Sequence, residues 1–123
     1  MTLTATQIKY LVAIHSLTRD DGVRSADIAD NLRVTKPTVH SMLTQLAKLK
    51  LIKKEKYSVI ELTEYGRKTA KAYAIRFSSI NILISKHLEL SSKAAEEGAL
   101  AILSCLDSDT FSNQQADKSC LTN

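Results

Sequence analysis

The residues best suited to chemistry cluster between positions 36 and 56. Lys36, Thr38, His40, Ser41, Thr44, Gln45 and Lys48 alternate with Val39, Met42, Leu43 and Leu46, which recur at i, i+3, i+4 and i+7. That period folds the segment into a helix with one apolar stripe. Ser41, Thr44 and Lys48 then share the opposite side, flanked by Lys36, Thr38, His40 and Gln45. No acidic residue falls on this outer face. Its hydroxyls, imidazole, amide and ammonium groups are those that can donate to phosphates and base edges. Just beyond lie Lys53, Lys54 and Lys56, three cations on two strand-like runs, 51–55 and 58–62, joined at Lys56-Tyr57. The join lacks an Asn-Gly or Asp-Gly signal, so the hairpin rests on the residue types of the two runs.

Charge is distributed to match. The 123 residues carry Lys+Arg 17 against Asp+Glu 13, a net +4. Residues 1–32 hold three basic and four acidic groups (−1), residues 33–76 eleven and three (+8), residues 77–123 three and six (−3). Positive charge confined to the middle third is the footprint of a surface that meets phosphates. The chain is 44% hydrophobic and 24% charged, enough to bury a core in one domain with an appended helical pair. The longest uncharged apolar-rich run, roughly Phe77 to Ile84, is too short to cross a bilayer, and no secretory signal is expected. Two cysteines, Cys105 and Cys120, make no disulfide framework and no zinc motif. A reduced, cytoplasmic protein is expected. With Gly 3 and Pro 1 there is no phosphate-binding loop. No paired carboxylates, Ser/His/Asp set or Cys/His pair can be assembled, so an enzyme is the weakest class and is not expected, nor is a small-molecule substrate.

Start signals position the other elements. Thr4-Ala5-Thr6-Gln7 reads as a capping box before a helix with Ile8, Leu11, Val12 and His15 on one stripe, widened by Ile14 and Leu17. Asp20-Asp21-Gly22 ends it, and Ser25 is expected to cap a short helix burying Ile28, Ala29 and Leu32. Thr35 as N-cap and Pro37 in the first turn start the 36–50 helix after a three-residue turn. Helix, short turn, helix and basic hairpin together form a winged helix-turn-helix. Thr63 opens a long helix over 64–88, with a stripe of Ala70, Tyr73, Ala74, Phe77, Ile80, Ile84 and Leu88. Ser91-Ser92 opens a last one over 93–106. The expected class is mostly α with a small β-hairpin: a winged helix-turn-helix over 1–72, a helical dimerisation region over 73–111 and a flexible tail over 112–123. One small winged domain is not expected to bury both late stripes, so Phe77, Ile80, Ile84, Leu88, Leu100 and Leu103 are assigned to a homodimer interface. Two-fold symmetry would set two recognition helices about 34 Å apart on palindromic double-stranded DNA.

The order of elements resembles the diphtheria toxin repressor and manganese transport regulator family of metal-dependent repressors. The resemblance is carried by Tyr10-Leu11 with Ile14 and Leu17, Asp27-Ile28-Ala29-Asp30-Asn31-Leu32, Val34-Thr35-Lys36-Pro37-Thr38-Val39 and Leu62-Thr63-Glu64-Tyr65-Gly66-Arg67. It extends to Arg76 and the apolar run up to Leu90, and from Leu32 to Leu106 it needs no gap. MarR-type repressors share Leu-Thr-x-x-Gly but place a long helix ahead of the first one here. The resemblance implies a DNA-binding repressor. It also implies an activating iron or manganese ion held by Met, Cys, Asp, Glu and His from the first helix, the long helix and the last. At those positions this sequence has Lys9 and Val12, then Phe77 and Asn81, then Glu96, Leu100, Leu103 and Ser104. Leucine and valine offer no lone pair and an ammonium repels a dication. Glu96 and Asn81 alone could ligate, with Glu97 or Cys105 added by a shifted register, so no metal and no other cofactor is assigned.

Two further readings differ in class or control: a metal-responsive repressor with relocated ligands, and a winged-helix module whose basic face meets an acidic protein. His15 is expected as a core or interface histidine and His87 as a partner of its helix dipole. Cys105 is expected as a buried, inert thiol, its alternative being pairing across a dimer. Arg67, Lys68 and Lys71 could add backbone contacts.

Overall fold

Five helices and three short strands make up the chain in the computed structural model, which describes residues 3–19, 22–54 and 59–106. They run α1 Ala5–Leu17, β1 Val23–Arg24, α2 Ser25–Leu32, α3 Lys36–Lys48, β2 Ile52–Lys54, β3 Val59–Leu62, α4 Glu64–Leu88 and α5 Ser92–Ser104. The hairpin turn with Lys56, the Asp20-Asp21 stop, Cys120 and the tail over 112–123 lie outside the described residues.

Four of the five helices start where a hydroxyl stands ready. The side-chain oxygens of Thr4, Thr35, Thr63 and Ser91 accept from the backbone N–H groups of Gln7, Thr38, Gly66 and Ala94. Each such cap is worth about 1 kcal/mol. Thr4 and Gln7 complete the capping box, because Gln7 Oε1 accepts from the Thr4 N–H at 3.0 Å. α2 departs from expectation. Ser25 is its first helical residue, and Arg24 precedes it without a side-chain cap. The reason is β1, which sequence reading missed: Val23 and Arg24 pair with Ile60 and Val59. The sheet is three-stranded and antiparallel, in the order β1-β3-β2.

α1 is the hub, packing against α2, α3, α4 and α5. Ile8, Leu11 and Ile14 are fully buried, joined by Tyr10 and Ala13, so its inner face is centred nearer Ile14 than the predicted stripe. His15 ends up half-buried at the edge. Because α1 covers both late helices, Ala70, Tyr73, Ala95, Ala99 and Leu103 are all buried within one chain. Within the later part of α4, by contrast, Phe77, Ile80 and Ile84 are only half-buried and Leu88 is exposed. α4 runs unbroken through residues 72 and 73.

Leu62-Thr63-x-x-Gly66 ties α4 to the end of α3. Thr63 donates its hydroxyl to the Lys50 carbonyl at 2.7 Å, and its N–H meets the Leu51 carbonyl at 3.1 Å. Gly66 then lies so close to Leu51 that a Cβ would fall inside that backbone. Only glycine permits the approach.

Candidate nucleic-acid interface

α3 presents the face its sequence predicts. Val39, Leu43 and Leu46 are buried, while Lys36, Thr38, His40, Ser41, Gln45 and Lys48 are exposed. Pro37 occupies the first turn, where its missing N–H leaves nothing unsatisfied. The turn before it is closed by Arg33 in the left-handed region (φ 56°) and by the Val34 N–H on the Ala29 carbonyl. The α3 N-terminus therefore opens to solvent beside Arg33 and Lys36, with no acid in its first turn.

Two side chains from elsewhere hold this face. Lys54 of β2 donates from Nζ to Thr44 Oγ1 at 3.1 Å, and the Thr44 hydroxyl itself donates to the His40 carbonyl at 2.9 Å. Half-buried and doubly engaged, Thr44 positions Lys54 over the helix. Lys53 points to the other face of the strand, opposite Glu61. Gln7 of α1 donates from Nε2 to Gln45 Oε1 at 3.2 Å. Nothing in the spacing of residues 7 and 45 could have announced that bond. Further along, Arg67 and Lys71 are exposed on α4, and Lys68 lies 3.9 Å from Glu64 in a solvated pair worth little.

A basic, acid-free helix face with a lysine-bearing strand laid beside it is the geometry of a winged helix-turn-helix. Residues 2–60 match the family of the iron dependent repressor, N-terminal DNA binding domain. This part of the chain is similar to the DNA-binding domain of the iron dependent repressors. That family consists of DNA-binding repressors, not enzymes. Solved structures share the fold. The manganese regulator SloR shares 27% identity at a TM-score of 0.69, over 100% of this chain and 56% of its own. ScaR with bound Zn2+ shares 24% at 0.61, covering 93% and 53%, and IdeR of T. acidophilum 20% at 0.61, covering 91% and 52%. The chain thus spans about half the length of these relatives. No protein of curated function matches it.

Iron dependent repressors imply a metal, and the donor set here does not fit one. Val12, Phe77 and Leu100 are half-buried against the apolar core, and Leu103 is fully inside it. Lys9 is exposed, as are Glu96 and Glu97. The Ser104 hydroxyl is committed to the Ala101 carbonyl at 2.8 Å. Asn81 Oδ1 is buried with no hydrogen-bond partner among the described residues, yet one amide oxygen cannot strip the hydration of a dication. Among the described residues, no group of three or more His, Cys, Asp or Glu converges.

The late helices carry two corrections. Leu103, expected at a dimer interface, belongs to the chain's own core. Phe77, Ile80 and Leu100 pack against that core, and Ile84 approaches Gly98 of α5, leaving Leu88 as the one fully exposed member of the predicted stripe. Outside the predicted stripe, α4 also exposes Ile75, Ile82 and Leu83, spaced about two turns apart on one face. Cys105, expected as a buried thiol, is exposed at the C-cap of α5. His87 is exposed in the last turn of α4. No described helix is long and apolar enough to cross a membrane.

Proposed function

We propose that this protein is a transcriptional repressor that binds palindromic double-stranded DNA as a homodimer, without metal control. One observation carries the DNA reading: Lys54 is held onto Thr44, beside an α3 face without an acidic residue. Lys36, Thr38, His40, Ser41, Gln45 and Lys48 meet the major groove, and Lys53, Lys54 and Lys56 neutralise phosphates. The second copy covers Ile75, Ile82 and Leu83, which would otherwise leave apolar area in water. Metal independence rests on the chemistry at positions 9, 12, 77, 100 and 103, where the side chains are an ammonium or hydrocarbon.

Titration of labelled duplex over a range of salt concentrations tests the reading. Replacing Lys53, Lys54 and Lys56 with alanine lowers the slope of log K against log[salt] by about 0.9 for each phosphate no longer neutralised, and weakens all sequences alike. An unchanged slope would remove the wing from the interface. No binding to duplex at low salt would favour an acidic protein partner instead.

A further inference from the structure

The capping box of α1 reaches further than its own helix. The Thr4 N–H is an orphan donor at a helix start, and Gln7 Oε1 accepts from it at 3.0 Å. A glutamine amide has one accepting end and one donating end. With Oε1 so committed, Gln7 must turn Nε2 outward, and Nε2 lies 3.2 Å from the side chain of Gln45. An NH2 group accepts nothing, so the atom of Gln45 that meets it is the carbonyl oxygen. The free end of Gln45 is therefore its own NH2.

We infer that Gln7 fixes the polarity of Gln45, so that Gln45 engages the duplex as a hydrogen-bond donor to an acceptor atom of DNA. Gln7 is a positioning residue and Gln45 the one that touches the ligand. A glutamine that reads adenine bidentately needs both amide ends on the base edge. Here α1 holds the carbonyl end. The matching partners are a phosphate oxygen, or the N7 and O6 acceptors of guanine. Thr44 next door points the same way: its hydroxyl donates to the His40 carbonyl and accepts from Lys54, leaving the remaining ammonium N–H groups outermost. Gln45 and Lys54 thus form a donor-only edge on α3. This inference rests on the DNA-binding reading and specifies the ligand chemistry of one edge of that interface.

A double-mutant cycle tests it, using the full chain and a labelled pool of random-sequence duplex whose bound fraction is sequenced. Gln7→Glu keeps the Thr4 N–H capped, since glutamate serves a capping box equally well, but supplies no donor. Its second carboxylate oxygen draws the Gln45 NH2 inward and turns the carbonyl toward DNA. Gln45→Met removes the amide at similar length. Gln7→Glu is expected to weaken binding about tenfold beside Gln45 and about threefold less beside Met at that position. The added charge acts in both backgrounds and cancels. A loss uniform over sequences assigns the acceptor to a phosphate, and one confined to duplexes with guanine at a given position assigns it to that base; either result supports the inference. Equal effects of Gln7→Glu in the two backgrounds would overturn it. Absence of any wild-type binding would instead overturn the functional reading on which it stands.

Discussion

On the outer face of α3, lysines, hydroxyls and amides stand in water and hold one another in place. Along α4 and α5, the positions where the iron dependent repressor resemblance puts metal ligands include Phe77, Leu100 and Leu103, packed into or against the apolar core, beside Asn81, Ser104 and an exposed Glu96. The two regions share a core and a covalent helix, yet their chemistry has diverged. A surface for phosphates needs exposed donors on a rigid helix, and residues 33–62 supply them. A divalent-cation site needs several converging oxygen, nitrogen or sulfur donors, and among the described residues the α1–α4–α5 junction brings no such group together, offering mostly hydrocarbon. The part that reads and the part that would sense are therefore separable: one junction can be closed by apolar packing while the other face keeps its polar organisation.

The link between the regions is the place to break this arrangement with the largest effect. Gly66→Ala forces a Cβ into the Leu51 backbone and should cost on the order of 3 kcal/mol in chemical denaturation, with DNA affinity falling alongside. A loss under about 0.5 kcal/mol would show that α4 and the α3 end are not tightly joined.

Next in size is the contrast between buried and exposed leucines of the late helices. Leu103→Ala, which opens a cavity in the core, should cost about 3 kcal/mol. Leu83→Asp should change folding by less than about 0.5 kcal/mol but turn the proposed dimer into a monomer by solution mass and weaken duplex binding. A Leu83→Asp protein that stays dimeric would move the interface off this face.

The smallest effect sits at Tyr10. Its hydroxyl is buried with no hydrogen-bond partner among the described residues, so Tyr10→Phe should stabilise the fold by about 1 kcal/mol. Burial also raises the phenol above its ordinary value near 10. The unfolded chain then gives up its proton first, so stability held below pH 10 is lost as pH rises through the folded value. The Phe variant should lack that part of the alkaline decline in a series of denaturation curves.

Much of the fold was legible because its signals are local. A hydroxyl followed three residues later by a free N–H marks the starts of α1, α3, α4 and α5, and the period of Val39, Leu43 and Leu46 orients α3 unaided. Where the reading missed, distance decides. β1 is two residues long and exists only because β3 offers it a partner. α4 carries apolar residues on more than one side, so its sequence could not tell which stripe α1 and α5 would cover; the answer left Ile75, Ile82 and Leu83 outside. The Gln7–Gln45 bond joins side chains 38 positions apart, beyond any periodic pattern.

The central claim is that the DNA-reading surface works without a metal at the α1–α4–α5 junction. The most direct test is DNA affinity measured on one protein sample with chelator, with magnesium and with manganese at matched ionic strength. Affinity should stay within about twofold across the three. A gain of about tenfold, or about 1.4 kcal/mol, with manganese over magnesium would contradict the claim and restore a metal switch.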